Sequence, residues 1–200
     1  VTIHIRHKDG SLEEFIGPPT EFQSARSEAE SRMPFLKSLR NVKIGDTVVP
    51  LKGGKGEFFG EGEAGNPFPG FPSIAIGKNV RGQEGGMVRT IINDMVHAAA
   101  MFSPEFKALK VELRDSLSPG EIDFAKKRYE SEYKGKATGS NFATFGNFLD
   151  TFWIDGMVQH LLDPVNSEID QIKGGNPRAV PVLEKIKELF LGEPKRTIRK

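Results

Sequence analysis

The chain has 200 residues, of which 37% are hydrophobic and 28% charged, with a formal net charge of +1 and no cysteine. That is enough apolar material for a packed core, so the sequence predicts a soluble globular chain rather than a disordered one. Without cysteine there are no disulfides, no thiolate-bound zinc and no thiol nucleophile, and the near-neutral charge gives no indication of a nucleic-acid partner.

No run of about 18 apolar residues suggests a membrane span, and no signal-like segment opens the chain. A first residue Val1 and a basic end, Lys195 to Lys200, lead to the expectation of a piece cut from a longer protein. Residues 1–192 read as a single domain, strand-rich over 1–80 and helical over 85–192, with 193–200 as a basic tail or linker stub.

In chain order, Val1 to His7 alternates in polarity, Lys8 to Ser11 is a turn signal, and Leu12 to Ile16 returns as a second strand. A hairpin closed by Gly17, Pro18 and Pro19 follows from that pattern. Ser24 to Asn41 is a helical candidate that Pro34 should break or kink. Short β-type runs stand at Asp46 to Leu51, Gly56 to Phe59 and Phe71 to Ile76. Between the last two, Gly60 to Pro72 is too rich in Gly and Pro for anything but loop. Ser73 to Gly77 reads as a half-buried strand, and Gly82 to Gly86 as a Gly-rich connector.

The second half is helical. Val88 to Phe102 places apolar residues at helical spacing and predicts a buried helix. Ser118, Pro119 and Glu121 form a helix-start signal with a capping box, for a helix running to about Tyr133. A polar loop, Lys136 to Ser140, precedes an aromatic-rich core helix from Asn141 to Leu162 that Asp163 and Pro164 stop. Val180 to Leu191 is a last amphipathic helix. Strands first and helices afterwards predict an α+β fold: a small N-terminal antiparallel sheet followed by a helical half.

The helix 88–102 carries the candidate chemistry. Asn93 and His97, at i and i+4, share one face, and Asp94 stands between them. Two side chains at that spacing with an acid beside the first is the layout of the His-Glu-x-x-His zinc hydrolases, in which two imidazoles bind zinc and the glutamate activates its water. Here the stretch reads NDMVH. An amide is a poor zinc ligand, and aspartate reaches less far than glutamate. The plain alternative is that Asn93 and His97 are polar groups satisfied within or beside the core.

The surroundings of the helix extend the likeness. The strand Ser73 to Gly77 precedes it, and the later helix carries Asp150, Asp155 and His160. Asn147 to Pro164 (NFLDTFWIDGMVQHLLDP) and Asn176 to Phe190 (NPRAVPVLEKIKELF) resemble the third-ligand helix, and the segment after it, of zincin-like metallopeptidase domains in large phage-type polyvalent proteins. The resemblance spans roughly 72–190 in layout and is specific at a handful of positions. It implies a zincin-like central helix with a cleft-lining strand before it.

On that resemblance His97 matches the second zinc histidine, Asn93 replaces the first, and Asp94 replaces the catalytic glutamate. Asp150 and then Asp155 stand for the later carboxylate ligand, their spacing leaving the choice open. One histidine and one carboxylate fall short of the three protein ligands of catalytic zinc. The departures imply a degenerate His-Glu-x-x-His site with no cofactor expected, zinc being the metal it would take if any. The chain would then be a structural or interaction module, its partner another protein or the rest of a larger phage-related or effector-like polypeptide. The alternatives are an active metal-dependent hydrolase in which Asp94 is the base, and an unrelated globular binding domain.

Other motifs carry less. Gly53 to Gly56 lacks the Ser/Thr and the following helix of a phosphate loop. His4 and His7 fall on opposite faces of a strand. No Gly-x-Ser-x-Gly elbow is present. Carboxylate pairs for glycoside hydrolysis drawn from Glu61, Glu63, Asp94, Asp123, Asp150 and Asp155 depend on a separation the sequence hides. The aromatic residues from Phe142 to Trp153 have the spacing of core, not of a base-stacking surface.

Overall fold

A computed structural model describes residues 2–6, 8–16, 19–51, 55–80, 86–135, 142–162 and 176–192. The residues cluster into two compact units, Val1–Ala98 with Leu191–Lys200, and Ala99–Phe190. The expected loop 136–140, most of the Gly-rich connector 82–86 and the tail 193–200 lie outside the described residues.

The first unit opens with β1 (Thr2–Arg6) and β2 (Leu12–Ile16), antiparallel with Thr2 opposite Ile16 and Arg6 opposite Leu12. Gly10, at φ 84°, supplies the left-handed step of the turn, and the Asp9 carboxylate accepts from Ser11 N at 3.0 Å and Ser11 Oγ at 2.6 Å. Helix α1 covers Pro19–Arg32, starting earlier than the apolar spacing suggests. Pro34 then acts as expected: α1 stops, and a 3-10 helix, Pro34–Leu39, begins at the proline. Phe22, Ala29, Met33, Leu36 and Leu39 are buried from this stretch.

Strands β3 (Lys43–Asp46), β4 (Gly56–Phe59) and β5 (Ser73–Ile76) form a second sheet in the order β3-β5-β4. β5 runs parallel to β3 and antiparallel to β4. This sheet is therefore mixed rather than antiparallel, while the overall class is α+β as expected. β3 lies upstream of the expected run 46–51, because Thr47 turns the chain: its hydroxyl bonds the Val49 carbonyl and accepts from Val49 N. Pro50 cannot donate to a ladder in any case. β5 is not half-buried. All of Ser73, Ile74, Ala75 and Ile76 are buried, as befits a central strand.

The loop 60–72 is held from inside by Asn66. Its amide donates to the carbonyls of Gly60 (2.9 Å) and Phe71 (2.8 Å), while its Oδ1 accepts from Phe68 N (2.7 Å) and from the Ser73 hydroxyl. Helix α2 (Gly86–Phe102) follows and buries Val88, Ile91, Ile92, Met95, Val96 and Ala98. The division between the units falls inside it.

In the second unit α3 covers Pro104–Ser116, a helix absent from the expected elements. Ser103 caps it, accepting from Phe106 N at 3.1 Å. α4 (Pro119–Glu132) has the expected capping box: Ser118 Oγ accepts from Glu121 N at 3.2 Å, and Glu121 Oε2 accepts from Ser118 N at 2.7 Å. Gly135, at φ 72°, ends the segment beyond α4.

The helical run α5, 145–162, comprises an α-turn Phe145–Asn147, a π-helical stretch Phe148–Trp153 and an α-helix Ile154–Leu162. α6 is Val180–Leu191, as the spacing predicts. Phe106 meets Phe190 edge to face at 5.1 Å in this core. Tyr129, Tyr133, Phe142, Phe148 and Phe152 form an aromatic cluster around the π stretch. Tyr129 and Phe148 are buried as core, while Tyr133, Phe142 and Phe152 around them are only half-buried, so the expected core position holds for part of the aromatic run. Among the described residues no helix is long and apolar enough to cross a membrane.

Candidate functional site

In the first unit the candidate residues sit on α2 where the edge strand β4 crosses it. Thr90 and Asp94 lie one turn apart on the same helical face, and both are buried. Thr90 Oγ1 donates back to the Gly86 carbonyl at 2.9 Å, which turns its methyl toward β4. Gly56 makes the close approach. A Cβ there would collide with Thr90 Cγ2 and stand 2.5 Å from Asp94 Oδ2 and 3.4 Å from the Ala75 carbonyl. A glycine inside a strand marks this kind of backbone approach, and the sequence carries that signal in the β-type run Gly56 to Phe59.

Asp94 is thus a carboxyl in a poorly solvated seam. Burial pushes its pKa up from the ordinary 3.8 to about 7, the nearby His97 works in the opposite direction, and Glu57 on β4 adds to the rise. Near neutrality the group can hold or release a proton, which a surface aspartate cannot do. Asn93 and His97, on the flank of the same helix, are half-buried. Glu57 is a site residue the sequence did not single out. It enters only because the strand places it beside α2.

In the second unit Asp150 and Asp155 both face cations on α3. Arg114 Nη1 reaches Asp150 Oδ1 at 2.8 Å and Oδ2 at 3.0 Å, in an exposed pair. Lys110 Nζ pairs with Asp155 Oδ1, and there the carboxylate is only 2% exposed. Lys110 and Arg114 are one helical turn apart, so they share a face of α3. Asp150 and Asp155 are five apart, which in a regular α-helix would leave them well out of line. The π stretch widens the turn between them, as in the i to i+5 bond from Ile154 N to Leu149 O, and brings the fifth residue nearer to alignment. His160, further along α5, is half-buried.

Asn93, Asp94 and His97 therefore belong to one unit and Asp150 and Asp155 to the other. Among the described residues no three His, Asp or Glu side chains gather into a group able to hold a metal ion. What the arrangement offers chemically is a buried carboxyl of near-neutral pKa on α2 and a pair of ion-paired carboxylates on α5. Comparison with models of protein families, with curated proteins and with solved structures finds no match to this chain.

Proposed function

We propose that this chain is a zincin-like module without metal-dependent hydrolase chemistry, acting as a structural or interaction element of a larger phage-related or effector-like protein. The observation that carries the reading is the engagement of Asp150 and Asp155 by Arg114 and Lys110. A carboxylate must give up such a cation before it can bind zinc. The buried Lys110–Asp155 pair is the costlier to open, because its partner would be left uncompensated. The order of strand, buried helix and later helix supports the resemblance on which the reading rests. Asn93 in place of a histidine supports the loss of the metal. The test is elemental analysis and zinc calorimetry on protein purified without chelator. Substoichiometric zinc is the expected result, and one equivalent of zinc that disappears in His97→Ala would overturn the reading.

One observation favours the alternative of an active hydrolase. Asp94, raised to about 7, has the acidity that general acid–base work near neutral pH calls for. On that reading an Asp94→Asn variant loses zinc-dependent cleavage of an unstructured protein substrate, and the wild-type rate rises through a pKa near 7. Equal rates for the two proteins would rule it out.

A further inference from the structure

The first unit contains a cavity of about 510 Å³ between the hairpin turn, α1 and the start of β3, away from Asp94 and His97. Two buried cations, Arg26 and Lys43, are among the residues that line it, at 7% and 6% exposure. Arg26 is locked in place, donating to the carbonyls of Val42 (2.7 Å) and Leu39 (3.1 Å) and to Glu30 at 2.9 Å. Lys43 donates to the Leu12 carbonyl at 3.2 Å and stands 4.9 Å over the ring of Phe71. Phe71 is 43% exposed, and it belongs to the loop that Asn66 clamps through the Phe71 carbonyl. Arg40 and Asn41 are exposed beside it, and Asp9 and Glu30 are the carboxylates of the wall. Three cations against two carboxylates leave the lining at a formal charge of +1.

We propose that this cavity binds a small organic anion that joins a phosphate or carboxylate to a flat ring, the class to which nucleoside monophosphates belong. The volume is in the range of small-molecule sites. Phe71 offers a preset apolar face for the ring, so little freedom is lost when a ligand stacks there. Arg40, with a planar fork of donors, takes the anionic group, and Lys43 adds positive potential behind it, while the charge of Arg26 is matched by Glu30. The amides of Gln23 and Asn41 remain for polar groups on the ring.

The test is calorimetric titration of the full chain with adenosine monophosphate, benzoate, inorganic phosphate and adenosine, each alone. Saturable binding of adenosine monophosphate or of benzoate is expected, roughly tenfold tighter than phosphate or adenosine. Adenosine monophosphate alone identifies a phosphate ligand and benzoate alone a carboxylate. Phe71→Leu keeps the bulk but removes the ring, and Arg40→Gln removes the fork. Each should weaken binding roughly tenfold while the protein stays folded, with a small fall in melting temperature for Phe71→Leu, whose ring covers Lys43, and none for the exposed Arg40→Gln. The proposal is overturned if neither ringed anion binds saturably, if phosphate binds as tightly as they do, or if both variants bind like the wild type.

Discussion

Gly56 and Asp94 are so close that the methyl group of an alanine at 56 would lie 2.5 Å from Asp94 Oδ2. The strand β4 rests its bare backbone on a buried carboxyl of the helix, and that contact fixes how the edge strand meets α2. Gly56→Ala should therefore destabilise the protein by about 1–3 kcal/mol, the usual cost of overpacking. No left-handed φ is involved at this glycine, so the loss comes from crowding alone. Thr90→Ser removes the methyl group that an alanine would also strike and should recover part of the loss. Urea denaturation of the two single variants and the double variant measures the coupling, and additive losses would count against a direct clash.

Asp94 makes stability depend on pH with a defined sign. The folded carboxyl has its pKa raised to about 7, chiefly by burial, from 3.8 in an ordinary setting. Between these values the folded state binds more protons than the unfolded state, so stability falls as pH rises from about 4 to about 7. Above 7 the full cost of ionising a buried carboxyl is present, and below about 4 it vanishes. Asp94→Asn, which stays neutral throughout, should flatten this part of the profile. At pH 8 it should be more stable than the wild type, by on the order of 1–4 kcal/mol. Chemical denaturation at a series of pH values gives the comparison, and parallel profiles would show that Asp94 does not titrate in this range.

Much of the fold was legible in the sequence where one residue type forces the geometry. Ser118 and Glu121 announce α4, Pro34 divides α1 from the 3-10 helix, and the apolar spacing of Val182, Leu183, Ile186 and Phe190 gives α6 its bounds. α3 is less legible, although Ser103, Pro104 and Glu105 carry a start signal similar to that of α4. Its buried positions, Phe106, Leu113 and Ser116, are too sparse to make a clear stripe. That weak stripe hides the site as well. Asp150 and Asp155 read as free ligands in the sequence, because their partners Arg114 and Lys110 stand on that unexpected helix. Ion pairing across helices leaves no mark in local sequence, whereas the Gly56 contact left one, a glycine within a β-type run.

Asn176 joins elements far apart in the chain. Its amide donates to the Ser116 carbonyl at 3.0 Å and to Glu121 Oε2 at 2.6 Å, and its Oδ1 accepts from Arg178 N at 3.1 Å. The Glu121 oxygen it reaches is the one that completes the cap of α4. Asn176→Ala leaves buried groups without this partner and should cost about 1–3 kcal/mol. Because the two residues share one network, Glu121→Ala made in the Asn176→Ala background should cost less than in the wild type. Thermal denaturation of all four proteins tests this, and equal losses in both backgrounds would mean the residues act separately.

The two ion pairs on α3 should differ in how much stability depends on them. Arg114 and Asp150 are each nearly half exposed, so solvent screens them, and Asp150→Asn should change stability by less than about 1 kcal/mol. Asp155 is 2% exposed against 15% for Lys110. Removing the lysine leaves a carboxylate in a dry setting, and Lys110→Met should cost about 3 kcal/mol or more. If Asp155 is then replaced by leucine, the uncompensated charge disappears and the double variant should regain most of the loss. Measured against denaturant, this series also bears on the metal question. A site that had kept Asp155 as a zinc ligand would need Lys110 out of the way, so Lys110→Met would gain stability on adding zinc. On the reading proposed above, zinc leaves its denaturation midpoint unchanged.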